Sequence, residues 1–192
     1  MKVLGIETSG LVGNLAVCDD NRVVARKSYG KNFSHGKEII SSLESLFNEA
    51  KWEPDDIDLI AVSTGPGSYT GLRVGVTCAK TLAYGLGKPV IDVPTLDVLV
   101  ENVEDNGAKT ICPVLDAKRK SVYACIYERS GNESRKSTDF LIISPDDLIK
   151  ILPESTLIFG DGIAPYRDIF TQKNLTIVED EKLCIADAAD VA

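Results

Sequence analysis

The sequence predicts a two-lobed α/β protein, and three observations carry that expectation. Three strand-like segments open the chain with no helix between them, strand and helix alternate after Ile57, and a strand-rich stretch starts afresh beyond a polar turn at 104–107. Strands joined by a short turn form an antiparallel meander, whereas strands separated by helices pair in parallel through crossovers. The expected division is a first lobe over 1–104 and a smaller second α/β lobe over 105–192, whose C-terminal helix is free to pack back on the first.

The elements follow in order. KVLGIET (2–8), GNLAVCD (13–19) and RVVARKS (22–28) are the opening strands, with Asp19-Asp20-Asn21 as the second turn. In KEIISSLESLFNEA (37–50), Ile39, Ile40, Leu43, Leu46, Phe47 and Ala50 recur at helical spacing, and Pro54 lies just beyond. DLIAVST (58–64) reads as a buried strand, then come a glycine-rich turn, a long helix, the strand PVIDV (89–93) and a helix over TLDVLVENV. The second lobe opens with strands TICPVLDA and KSVYACIYER around a short turn at Lys118-Arg119. A polar loop (129–137), a strand (139–143), a helix (145–151), the strand TLIFG and a helix (163–170) follow, and KLCIADAADVA reads as helical.

Composition narrows the function. Lys and Arg number 21 against 29 Asp and Glu, a formal net charge of -8, so the chain is a poor stand-alone binder of phosphate backbones. Cys18, Cys78, Cys112, Cys125 and Cys184 are an odd number with no CxxC spacing. They read as buried thiols of a cytoplasmic protein. No apolar run reaches the roughly 20 residues of a membrane span, and MKVLGIETS reads as an opening strand rather than a signal peptide.

The turn STGPGSYTGLRVG (63–75) invites a phosphate reading. A Walker loop fails, because Gly71 is followed by Leu72-Arg73 and the loop has no lysine. A dinucleotide fingerprint would use Gly65, Gly67 and Asp92, but Thr70 stands at the third glycine position and Pro66 lacks an N–H. The other reading is a capped helix start, with Ser68 as N-cap and Gly87 with Pro89 at the close. Along the helix, Leu72, Gly75, Val76, Ala79, Leu82, Ala83 and Leu86 share an arc that Gly71, Val74, Cys78 and Gly85 extend. This covers roughly 200°, against the ~100° a one-sided helix needs. The remaining arc carries Thr70, Arg73, Thr77, Lys80, Thr81 and Tyr84. The expectation is a helix buried on one side and docked on a partner, with Gly71, Gly75, Ala79 and Ala83 admitting a second backbone.

Taken together, LGIETS (4–9), STGPGSYTGLRVGVTCAKTLAYGLGKPVI (63–91), VPTLDVL (93–99) and VLDAKRKSVYACIY (114–127) resemble the TsaB (YeaZ) family. The resemblance covers most of residues 1–127 and, weakly, GDG at 160–162. It implies the two-lobed actin-like ATPase fold with an abbreviated second lobe. It also implies a bacterial cytoplasmic protein required for threonylcarbamoyladenosine on the tRNA adenosine beside the anticodon. Such a protein is a non-catalytic partner of TsaD, with TsaE as third component, and a homodimer when alone. Contact with tRNA would come only through the complex, and ATP and metal would belong to TsaD.

TsaD carries a metal-binding HxxxH; the matching positions here are Thr95 and Leu99, and His35 is the sole histidine of the chain. The resemblance therefore implies no catalytic residue and no metal site of its own. His35 reads as a loop or helix-start residue, with Gly36-Lys37 departing from the family's usual His-Ser-Glu run. Thr8, Ser9 and Gly10, at the place of the first phosphate loop, are weak cofactor-binding candidates beside the acidic Glu7; Asp116 and Asp161 read as turn or surface acids. The family's dimer helices correspond to 68–86 and 37–50, which makes Gly71, Val74, Gly75, Cys78, Ala79, Leu82, Ile39 and Leu43 the expected partner interface. Two alternatives stay open: an actin-fold ATPase or metallopeptidase-like enzyme, and a dinucleotide-binding oxidoreductase.

Overall fold

A computed structural model describes residues 1–30, 35–104, 107–131 and 133–192, the side chains of 35, 181 and 182 excepted. The expectations placed on the His35 side chain and on the centre of the polar turn at 104–107 lie outside the described residues.

The chain divides into two compact units, Met1–Val98 with Ala186–Ala192, and Leu99–Ile185. The first contains β1 (Lys2–Glu7), β2 (Gly13–Asp19), β3 (Arg22–Tyr29), α1 (His35–Ala50), β4 (Leu59–Gly65), α2 (Tyr69–Leu86) and β5 (Val90–Pro94). The division falls inside α3 (Thr95–Glu101). The first sheet runs β3-β2-β1-β4-β5. β1 pairs antiparallel with β2, Ile6 opposite Leu15, and parallel with β4, Ile6 beside Val62. The expected β-β-β-α-β-α-β order is present, and it excludes a Rossmann unit, which would begin β-α-β.

Alternation along β1 sorts its two faces. Leu4 and Ile6, with Leu15, Val17, Ile60 and Val62, point to one side and pack under Ile39, Leu43, Leu46 and Phe47 of α1 and Ala79 and Ala83 of α2. Each fully buried Leu or Ile there contributes about 1.5–3 kcal/mol, so this layer anchors both helices. Gly5 points to the other side, where a β-carbon would collide with the Ala188 carbonyl.

The second unit contains β6 (Thr110–Lys118), β7 (Ser121–Ala124), β8 (Tyr127–Ser130), β9 (Glu133–Lys136), β10 (Leu141–Ile143), α4 (Pro145–Ile151), β11 (Leu157–Phe159), α5 (Arg167–Phe170) and β12 (Thr176–Val178). Its sheet runs β10-β7-β6-β11-β12, with β8 on β6 and β9 on β8. Cys112, Val114, Val122, Ile158, Leu148 and Phe170 form its core.

Three local expectations are corrected. KSVYACIYER is two strands, β7 and β8, divided at Cys125 and Ile126. The polar loop at 129–137 holds β9, whose Ser134 pairs with Arg129 across a hairpin. Glu133, Arg135 and Lys136 are exposed, so that strand carries no apolar alternation. The C-terminal stretch is a 3-10 turn (Glu181–Cys184) and a separate α6 (Ala188–Val191), because Asp187 leaves helical geometry to cap α6.

Candidate functional site

The turn between β4 and α2 is a capped helix start. Ser68 is the N-cap and its hydroxyl accepts the Gly71 N–H at 3.2 Å; Gly87 closes the helix in the left-handed region with φ 65°. The turn is tied to the loop after β1, since Ser68 N donates to the Ser9 carbonyl at 2.7 Å.

The small residues of α2 serve that same contact. A β-carbon on Gly71 would strike the Thr8 carbonyl, one on Gly75 would strike the Thr8 hydroxyl, and one on Gly67 would lie 2.6 Å from Ser9 Cβ. The second backbone that approaches this helix is therefore the chain's own β1–β2 loop. Gly71 and Gly75, expected at a partner interface, stand where their missing side chains make room for Thr8. Ala79 and Leu43 belong to the core of their own unit, and Cys78 and Ile39 belong both to that core and to the lining of the groove between α1 and α2.

Thr8 is fully buried and Ser9 nearly so, while Gly10 is exposed. The Ser9 N–H donates to Glu7 Oε1, so a backbone donor that a phosphate would need is already bound to a carboxylate. Glu7 is itself buried, and burial pushes its carboxyl above the ordinary range. Ser63 lies close enough to oppose that rise, yet its Oγ and Glu7 Oε2 close no hydrogen bond of good geometry with the described residues. An anion in this loop would face the Glu7 carboxylate's environment rather than a cation.

The outward side of α2 is different. Thr70, Arg73, Thr77 and Thr81 are exposed, and Val74 and Leu82 are half-buried. With Ile40 of α1, which is 59% exposed, they line a mostly apolar groove of about 520 Å³ between the two helices. Arg73 lies over the Tyr69 ring at 5.5 Å, and Thr81 returns its hydroxyl to the Thr77 carbonyl at 2.8 Å. Of the expected interface residues, Val74, Leu82, Ile39 and Cys78 line this groove, the first two half-buried and the last two buried at its floor. The sequence reading missed Ile40, Thr70, Thr77 and Thr81 as lining groups. The available signal was three β-branched residues on one exposed helical arc, where intrinsic preference favours straight-chain residues.

In the second unit, Asp116 N donates to Asp161 Oδ1 at 2.9 Å and Asp116 Oδ2 binds Lys118 Nζ at 2.7 Å. The Lys118 contact holds the Asp116 carboxyl below its ordinary value. Cys18, Cys78, Cys112 and Cys125 are buried and Cys184 partly so; none of the five is in a disulfide, and burial raises the pKa of the Cys78 thiol to about 11. Thr95 and Leu99 are buried. Among the described residues, no group of three His, Cys, Asp or Glu side chains is placed to hold a metal ion, and no helix is long and apolar enough to cross a membrane.

The TsaD family model, described as tRNA N6-adenosine threonylcarbamoyltransferase, matches residues 31–175. The Bacillus subtilis tRNA threonylcarbamoyladenosine biosynthesis protein TsaB is 36% identical over 67% of this chain and 56% of its own length. The Escherichia coli protein of the same name is 30% identical over 69% of this chain and 57% of its own length. The matched part thus spans under two thirds of these relatives. The solved structure of YeaZ from Pseudomonas aeruginosa superposes with a TM-score of 0.83, at 22% identity, over 100% of this chain and 89% of that one. That likeness shows the fold, the two-lobed actin-like ATPase arrangement.

Proposed function

From the premise that this chain belongs to the TsaB (YeaZ) family, within the broader TsaD family, we propose that it is a partner subunit in threonylcarbamoyladenosine formation on tRNA. It would pair with a TsaD-type subunit, act with TsaE, and pair with itself when alone. The nucleotide and the metal would be held by the TsaD-type subunit, and the complex would work in the cytoplasm.

The observation that carries this reading is the groove between α1 and α2. Its lining is mostly apolar, with Ile40, Val74 and Leu82 at the surface and Thr70, Thr77 and Thr81 as short side chains beside them. Pockets of apolar surface ringed by polar groups suit another macromolecule. Arg73, stacked on Tyr69, and the 92% exposed Tyr84 add the residue types that dominate interface energetics. The loop at Thr8-Ser9, by contrast, has its main-chain groups engaged by α2 and Glu7, which supports placing the nucleotide elsewhere.

The test is reconstitution. Purified TsaD-type and TsaE-type subunits with tRNA, an activated threonylcarbamoyl donor and ATP are assayed for modified adenosine with and without this chain. Modification that depends on the chain is expected. Equal modification without it, or ATP turnover by the chain alone at the rate of the mixture, would overturn the reading.

A further inference from the structure

Lys118, Arg119 and Lys120 all lie in the left-handed region, with φ of 62°, 51° and 65°. The register places Lys118 opposite Ser121, so Arg119-Lys120 is a two-residue hairpin turn with positive φ at both central positions. Asn-Gly and Gly-Gly satisfy that geometry with little strain; residues with long side chains are disfavoured there. Strain of this kind persists only where the surrounding structure holds it, and it clusters at functional sites.

The side chains are two neighbouring cations. Lys118 is engaged by Asp116 at 2.7 Å, while Arg119 and Lys120 are exposed and form no ion pair or side-chain hydrogen bond with the described residues. In a chain of net charge -8, an unneutralised Arg-Lys pair on a projecting tip is an exception. A guanidinium fork matches two phosphate oxygens at once, and an adjacent ammonium adds a point charge.

Resting on the functional reading above, we propose that the Arg119-Lys120 tip contacts the phosphate backbone of the tRNA that the complex modifies. It is a positioning contact, sequence-independent, and it adds to whatever grip the partner subunits supply.

The double variant R119N/K120G tests this, because it keeps the turn and removes both charges. In the full chain the thermal midpoint is expected to rise by about 2–4 °C as strain is relieved. The variant, assembled with the TsaD-type and TsaE-type subunits, is titrated with unfractionated tRNA across a salt series. Affinity is expected to fall about tenfold, and the plot of log affinity against log salt to become shallower by about 1.5, for two lost phosphate contacts. Assembly with the TsaD-type subunit is expected to be unchanged. A salt slope and affinity equal to those of the unaltered chain would overturn the proposal. So would a loss that resides in protein assembly, which would assign the tip to an acidic protein surface, or a lower thermal midpoint, which would remove the premise of strain. If the unaltered chain fails to support modification, it is the partner-subunit reading that falls. If it supports modification and the variant binds tRNA like it, only the tip assignment falls.

Discussion

Helix α2 turns one face toward the loop after β1 and the sheet, and another toward the groove it shares with α1. Gly71 and Gly75 stand against Thr8 with no room for a β-carbon, and Ala79 and Ala83 cover the sheet. On the outward face Thr70, Thr77 and Thr81 are equally modest in size and are exposed among the described residues, with Val74 half-buried beside them. Small residues thus do two unlike things within one helix. Inside, they are demanded by a backbone already in place; outside, they leave an open trough. Size alone cannot tell these roles apart, because the threonines that share their arc with Arg73 and Lys80 are nearly as small as the inner residues.

The sharpest way to break that contrast is Gly75→Leu. The added side chain starts where the Thr8 hydroxyl and methyl already sit, and neither the helix nor β1 can shift without disturbing the core layer beneath. Overpacking costs typically 1–3 kcal/mol and more where backbone must move, so a loss of about 3 kcal/mol is expected. For a chain of this length that lowers the thermal midpoint by roughly 6–12 °C, read by calorimetry. A variant that keeps its midpoint and loses only self-association would show that Gly75 faces another molecule after all.

Thr77→Arg probes the other face. Thr77 is exposed on the groove wall, so the folded chain should tolerate the change within about 0.5 kcal/mol. A long cation in the middle of an apolar seat must either displace a partner's side chain or be desolvated unpaired. Affinity for the TsaD-type subunit, measured by calorimetric titration, is expected to fall at least about tenfold, equivalent to about 1.4 kcal/mol. Unaltered affinity would move the partner off this groove.

Much of this was legible in the residues themselves. The spacing of Ile39, Leu43, Leu46 and Phe47 marked α1, the run at 58–64 marked β4, and Ser68 and Gly87 marked both ends of α2. These signals are local, each arising within a turn or two of chain. What stayed hidden is long-range or conformational. That Gly71 and Gly75 answer to Thr8 depends on a strand more than sixty residues earlier, which no helical wheel displays. Strand β9 has three of its four side chains in solvent, so it lacked the alternation that betrays a half-buried strand. The left-handed run at Lys118-Arg119-Lys120 was hidden for a third reason: its residues are not those the turn geometry favours, so a turn was visible but its strain was not.

The third glycine inside α2 gives the smallest and cleanest test of the contrast. Gly85 is exposed, sits in the last turn of the helix, and a β-carbon there would meet nothing within 4 Å. Its backbone is not among those with positive φ, unlike Gly87 two residues on, which needs the left-handed conformation to end the helix. Where neither space nor dihedral angle calls for glycine, the residue only adds conformational freedom to the unfolded chain. Gly85→Ala should therefore stabilise the protein by about 0.5 kcal/mol, toward the low end of the Gly-to-Ala range because the site is near the helix end. The expected rise in midpoint is about 1–2 °C, with affinity for the partner unchanged, since Gly85 does not line the groove. Gain at Gly85 alongside loss at Gly75 would show that packing against Thr8, and not helix preference, is what holds glycine on the inner face. Destabilisation at both positions would instead mean that α2 needs glycine for its own backbone, and the division between its two faces would lose its physical basis.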